Sequence, residues 1–161
     1  MYQVALNIRE YRPHDMEQIL QLNAYGLRAA GIDPSDDYYD GEDFDDIERT
    51  YSRAAGGALL VGEVAGQVIA MGGIRRVTTE ICELLRMRVY PEFQGRGYGK
   101  AILLLLEEKA ADLSYQRIRL LTGEDQHPAV DLYAKHGYTV TEREIIMDMP
   151  SVHMVKELHG V

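Results

Sequence analysis

"EFQGRGYGK", Glu92 to Lys100, is the stretch on which the reading of the whole chain turns. It gathers Gly95, Gly97 and Gly99 with two fixed cations, Arg96 and Lys100, after an apolar run that reads as a strand and before one that reads as a helix. Glycines at such a junction let several backbone N–H groups converge on one anion with no side chain in the way, and the helix dipole adds a favourable partial charge. A Walker A loop ending at Gly99-Lys100 would need glycine at 94 and a hydroxyl at 101, where the chain has Gln94 and Ala101. A dinucleotide fingerprint starting at Gly95 needs glycine at 100 and finds Lys100; starting at Gly97 it finds Ile102. What remains is Q-x-x-G-x-G, as Gln94, Gly97 and Gly99, which suits a pyrophosphate but is also found in turns that merely start a helix.

The surrounding elements follow from periodicity and punctuation. Val4, Leu6 and Ile8 alternate as a strand, Pro13 opens a helix whose stripe is Met16, Ile19, Leu20, Leu22 and Leu27, and Gly31 closes it. An acidic loop leads into a short helix from about Asp45, carrying Ile47 and Tyr51. "ALLVGEVAGQVIAMGGIRRV" reads as a hairpin turning at Ala65-Gly66-Gln67, and "EICELLRMRVY" as a strand stopped by Pro91. Past the glycine loop come a helix from about Tyr98 to Leu113, a strand "RIRLLTG" and a short helix from Pro128 to Gly137. Two last strands, "TVTEREIIMD" and "SVHMVKEL", are expected to be separated by Pro150 and to form a sheet edge that suits pairing with a second copy. The order predicts a single α/β (α+β) domain over residues 1–161, with a mixed, mostly antiparallel sheet of about seven strands and helices on both faces.

Composition narrows the function classes. The formal charge of −9 argues against a basic nucleic-acid binder. Nine acids and no Lys or Arg lie between Asp33 and Glu48; the other 17 acids equal the 17 Lys and Arg, so the whole excess sits in one segment. No run is apolar enough to span a membrane and the start does not resemble a signal peptide. One cysteine, Cys82, can form neither an internal disulfide nor a zinc site, so a cytoplasmic protein without a metal centre is expected, with a buried, inert thiol.

"ELLRMRVYPEFQGRGYGKAILLLLEEKA" followed by "RIRLLTGEDQHPAVDLYAKHGY" resembles the Gcn5-related N-acetyltransferase (GNAT) family. The shared features are a strand, V-x-P, Q-x-x-G-x-G, an apolar helix, a strand and L-Y-x-K-x-G-Y, with motif-level detail from Glu80 to Tyr138 and looser agreement before it. The resemblance implies an acetyl-CoA-dependent N-acetyltransferase. It assigns the amides around Gln94, Gly95, Arg96, Gly97, Gly99 and Lys100 to the coenzyme A pyrophosphate, and the backbone of Met87 and Val89 to the pantetheine arm, paired like an added strand. A β-bulge there would splay this strand from the next and open a cleft. Where the family often has asparagine, this chain has Gln126, a substituted contact to the cofactor.

The implied chemistry needs three roles filled. Tyr133, from the L-Y motif, would protonate the departing thiolate; the alternative is a core aromatic. A backbone N–H near Met87 to Val89 would serve the oxyanion. Glu83 is the candidate base, placed by simple alternation on the same sheet face as Leu85, Met87 and Val89; the alternative is an ion pair with Arg75, Arg76 or Arg86. His127 and His136 read as surface or capping residues. The resemblance implies that the acceptor is a primary amine of a small molecule, such as a polyamine, aminoglycoside or amino acid, or of a peptide. The acidic segment, with Tyr38, Tyr39 and Phe44, could read a cation or be a solvated loop whose charge aids solubility, and Arg75 and Arg76 could clamp a carboxylate instead. A non-catalytic acyl-CoA-binding module is the competing function.

Overall fold

A computed structural model describes residues 5–35 and 41–158. Seven strands among these residues form one sheet in the order β1-β2-β3-β4-β5-β7-β6. The strands are β1 (Asn7–Glu10), β2 (Ala58–Val64), β3 (Gln67–Arg76), β4 (Ile81–Val89), β5 (Arg117–Gly123), β6 (Thr139–Ile146) and β7 (Met149–Glu157). Five α-helices join them: α1 (Met16–Ala29), α2 (Glu42–Asp45), α3 (Ile47–Tyr51), α4 (Tyr98–Asp112) and α5 (His127–Lys135). Every neighbouring strand pair is antiparallel except β4 with β5.

The sheet has apolar residues on both faces, and two cores form. Ile102, Leu103, Leu106 and Ala110 of α4 pack with Tyr133 of α5 against Cys82, Leu84, Ile118 and Leu120. Each large aliphatic side chain there contributes about 1.5–3 kcal/mol by leaving water. On the opposite face Ile19 and Leu22 of α1 join Tyr51, Leu59, Val61 and Met71. Leu20, read from spacing as part of the α1 stripe, is 47% exposed instead. Its neighbours Ile19 and Leu22 fill the available contact with the sheet, and the buried polar Asn23 takes a place the stripe had not anticipated.

Three further expectations are corrected. The acidic stretch becomes helical earlier, at Glu42, in two pieces, because Asp46 leaves helical geometry (φ −145°) to accept a hydrogen bond from the Arg49 amide. Pro150 does not separate the last strands: the turn is Met147-Asp148, both in the left-handed region, and Pro150 lies in β7 opposite Ile145. The edge is β6 alone, since β7 returns to pair with β5. Val4 lies outside the described residues.

β3 and β4 meet in a register that skips one residue. Gly73 pairs with Leu85 and Met71 with Arg88, so Arg86 and Met87 together face Gly72. This is the bulge expected near the end of β4. Gly72 makes room for it: a Cβ there would lie 2.3 Å from the Met87 sulfur, 3.0 Å from Ile102 Cγ2 and 3.1 Å from Leu106 Cδ1. Gly72→Ala is expected to cost about 1–3 kcal/mol by overpacking and to lower Tm by about 5 °C. Thermal melting followed by circular dichroism checks this, and an unchanged Tm would mean that Met87 and α4 yield freely.

Candidate active site

The parallel pair β4–β5 is formed by only three residue pairs, Ile81 with Arg117, Cys82 with Ile118 and Glu83 with Arg119. Beyond them β4 stays with β3 as far as Val89 and β5 stays with β7 as far as Gly123. The two strands therefore part, and between them lies a wedge whose backbone groups have no ladder partner across it among the described residues. The Met87 carbonyl accepts from Arg88 Nη1 at 3.2 Å and the Val89 carbonyl from the Gln94 side chain at 2.8 Å, so an amide-bearing chain that adds itself here as a strand would share those carbonyls with Arg88 and Gln94.

The bulge sets which sheet face each β4 side chain beside this wedge takes. Arg86 sits at φ +60°, a left-handed conformation costing about 1–2 kcal/mol for a residue with a Cβ, and it interrupts the alternation of β4. Cys82 and Leu84 before it, and Met87 and Val89 after it, all pack toward α4 and α5, whereas Leu85 packs toward α1. Glu83 thus does not share a face with Met87 and Val89, as uninterrupted alternation had suggested; it points to the α1 side. There its Oε1 accepts from Arg75 Nε at 2.7 Å and Nη2 at 2.6 Å, and its Oε2 lies 4.0 Å from Arg119 Nε.

At the wide end of the wedge the glycine loop enters α4. Gly95 and Gly97 have φ +77° and +81°, and a Cβ on either would meet nothing within 4 Å, so both glycines are there for conformation and for open approach. Gly97 is the N-cap. The Ala101 amide is the first bonded back along the helix, to the Gly97 carbonyl at 3.0 Å, which leaves the amides of Gly97 to Lys100 without intrahelical partners. Gly99 is different: it is helical, and a Cβ there would rest 3.8 Å from Leu132 and Val89. Gln94 also departs from expectation. Its amide N–H donates to Pro91 at 3.2 Å and its side chain to the Val89 carbonyl at 2.8 Å, so it braces the loop against β4. Arg96, over the Phe93 ring at 5.6 Å, and Lys100 are exposed.

Tyr133 comes from α5 into the core cluster against which Met87 and Val89 pack, 5% exposed, its ring 5.7 Å from that of Tyr138, which is anchored by a 2.8 Å hydrogen bond to Glu107. Burial pushes the Tyr133 phenol up to about 12, with the Arg88 charge pulling weakly the other way. It is a protonated donor over the whole physiological range. Gln126 is the N-cap of α5 and lines, with Thr122, Asp125, Ile32 and Met147, a 190 Å³ cavity at the far end of β5. His136 caps α5 through the Leu132 carbonyl at 2.8 Å, and His127 is exposed. Cys82 is buried, which raises its thiol to about 12 and keeps it inert.

The acidic segment is more structural than its composition suggested. Asp43 is 1% exposed and paired to Arg86, Asp46 caps α3, Glu48 accepts the Tyr11 hydroxyl, and Phe44 stacks on the Arg86 guanidinium at 5.1 Å. Asp36, Asp37, Tyr38, Tyr39 and Asp40 lie outside the described residues. Arg75 is occupied by Glu83, and Arg76 donates to the Tyr115 hydroxyl at 3.3 Å. Both arginines line a 590 Å³ hollow with Glu42, Asp45 and Asp46, level with the stretch where β4 and β5 are still paired. The buried Asp43–Arg86 pair was missed by sequence reasoning; the only hint was an arginine and an aspartate among many of their kind.

Residues 16–138 match the model of the acetyltransferase (GNAT) family. The N-acetyltransferase YjgM of Escherichia coli (strain K12) is 33% identical over 97 residues, 58% of this chain and 58% of that protein, so the chain spans somewhat under three fifths of that relative's length. Among solved structures, a GNAT-family acetyltransferase from Staphylococcus aureus Mu50 superposes with a TM-score of 0.84 at 19% identity, covering 96% of this chain and 100% of that one. An N-acetyltransferase from Thermoplasma acidophilum in complex with coenzyme A gives 0.69 at 19% identity, covering 95% and 99%. These likenesses extend the fold across the whole sheet. Among the described residues no group of His, Cys, Asp and Glu is arranged to hold a metal, and no helix is long and apolar enough to cross a membrane.

Proposed function

This chain belongs to the acetyltransferase (GNAT) family, and on that footing we propose that it transfers an acetyl group from acetyl-CoA to a primary amine of a small molecule or peptide. The observation that carries the reading is the early parting of β4 and β5, which opens a wedge along the β4 edge that runs on into the glycine loop, with Tyr133 in the core cluster against which Met87 and Val89 pack. The amides of Gly97 to Lys100 and the cations Arg96 and Lys100 suit the pyrophosphate, and the β4 edge around Met87 and Val89 suits the pantetheine arm. When bound, acetyl-CoA supplies an acetyl group activated as a thioester.

The residues then divide the proton work. Tyr133 holds its proton at Oη and, with acetyl-CoA bound, would supply it to the departing thiolate as the C–S bond breaks. An N–H of the bulged stretch Met87 to Val89 stabilises the carbonyl oxygen. Glu83, on the α1 side and clamped by Arg75, accepts the ammonium proton through water, which keeps base and acid on opposite faces of the sheet. Glu83→Gln is expected to lower kcat about tenfold or more, most strongly at low pH where the amine is largely protonated. A fall in Tm with an unchanged pH–rate profile would reduce Glu83 to its ion pair.

Thiol release from acetyl-CoA, read against polyamines, aminoglycosides, amino acids and basic peptides with a no-acceptor control, tests the function itself. Acceptor-dependent release is expected. Tight acetyl-CoA binding with no release for any amine would favour the binding module. Arg75 and Arg76 are engaged, but so are Asp43, Asp46 and Glu48 of the acidic wall, so salt dependence is what separates a carboxylate clamp from a cation-reading wall. Turnover that weakens as salt rises would mark the latter.

A further inference from the structure

We propose that the buried Asp43–Arg86 ion pair is a positioning device that holds the bulge of β4 open for the cofactor and ties the cleft to the acidic wall. The inference rests on the reading of the wedge as an acetyl-CoA site. Bulges whose first residue is left-handed ordinarily use glycine, yet here the position is Arg86 at φ +60°. Something must hold an unfavourable backbone in place. The Arg86 guanidinium donates to both Asp43 oxygens, Nη2 to Oδ1 at 2.6 Å and Nε to Oδ2 at 3.0 Å, in a fork that fixes its orientation as well as its charge. Tyr51 adds a third hydrogen bond, its hydroxyl donating to Oδ2 at 2.6 Å, and the Phe44 ring covers the guanidinium. Asp43 and Arg86 are 1% and 10% exposed.

Burial acts to raise the Asp43 carboxyl, but the hydrogen bonds from Arg86 and Tyr51 outweigh it and hold the group below the usual carboxylate range, so the pair stays charged. A buried pair of this kind is a poor source of stability compared with apolar side chains of the same volume. Its distinctive product is geometry. α2 is a four-residue helix, and through Asp43 it reaches across to the one residue that reverses the alternation of β4. Met87 and Val89 take their facing from that reversal, so the α2 wall and the cofactor edge cannot shift independently.

Coenzyme A affinity by titration calorimetry, with melting curves, is measured for the wild type and for Asp43→Asn, Arg86→Gly and the double variant. Asp43→Asn is expected to weaken coenzyme A roughly tenfold, the ratio matching the freed backbone strain. The double variant is expected to regain affinity to within about threefold of wild type, because glycine holds the left-handed conformation unaided and no buried charge is stranded. Arg86→Gly alone strands Asp43 and is expected to lose Tm. Wild-type affinity in Asp43→Asn, or a folded double variant as weak as Asp43→Asn, would overturn the proposal. No coenzyme A binding by the wild type would instead remove the acetyl-CoA reading on which it rests.

Discussion

A Tyr133→Phe variant is expected to lose about 10²-fold or more in kcat while its affinity for coenzyme A stays near that of the wild type. The hydroxyl is the only group removed, and the ring that packs on Tyr138 is retained, so the fold has little to lose. The pH dependence follows from the same environment. An ordinary tyrosine ionises near 10; burial lifts this one to about 12. The donor is therefore protonated below pH 10, and the rate should climb as the amine deprotonates with no falling limb in that range. Stability runs the same way: it is fully present below the unfolded value near 10 and is lost as pH rises through the folded value. Steady-state kinetics from pH 6 to 10, with a parallel binding isotherm, decide the matter. Undiminished turnover in Tyr133→Phe would return Tyr133 to the core as an aromatic with no chemical role.

Gly97→Val is expected to weaken acetyl-CoA by about 10²-fold, or more than 2 kcal/mol. Two costs coincide. A β-branched residue at φ +81° is a genuine backbone outlier, and its side chain would occupy the open space before the four unbonded amides of α4. S-acetylpantetheine, which lacks the pyrophosphate, separates site from fold: its kcat/KM should be nearly unchanged in the variant. Equal losses for both donors would mean that the loop matters for the shape of the wedge and not for the anion.

The loop could be read from sequence because its chemistry is local. Glycine and proline carry their conformational consequences within a residue or two, so the Gly95 and Gly97 turns, the start of α4 after them and the Pro91 stop behaved as their letters imply. The β2–β3 hairpin with its Ala65-Gly66 turn was legible for the same reason. Pro150 misled because a proline at the start of a strand is tolerated when its neighbour needs no N–H there. The exposed Leu20 misled because a stripe on a helix is chosen by the sheet it meets.

The face of Glu83 and the role of Arg86 were beyond any local rule. Period-two alternation holds only while each residue pairs with one across the sheet, and a bulge breaks it at a place set by a neighbouring strand. Asp43 likewise counts as one of nine acids until the fold brings it to Arg86. The sequence by itself determined the order of elements, the glycine turn that opens α4 and the L-Y motif of α5, since each depends on residues adjacent along the chain. Only the tertiary structure decided which face each β4 residue takes and which carboxylates are structural, because the first is set by the register against β3 and the second by a contact between residues 43 positions apart.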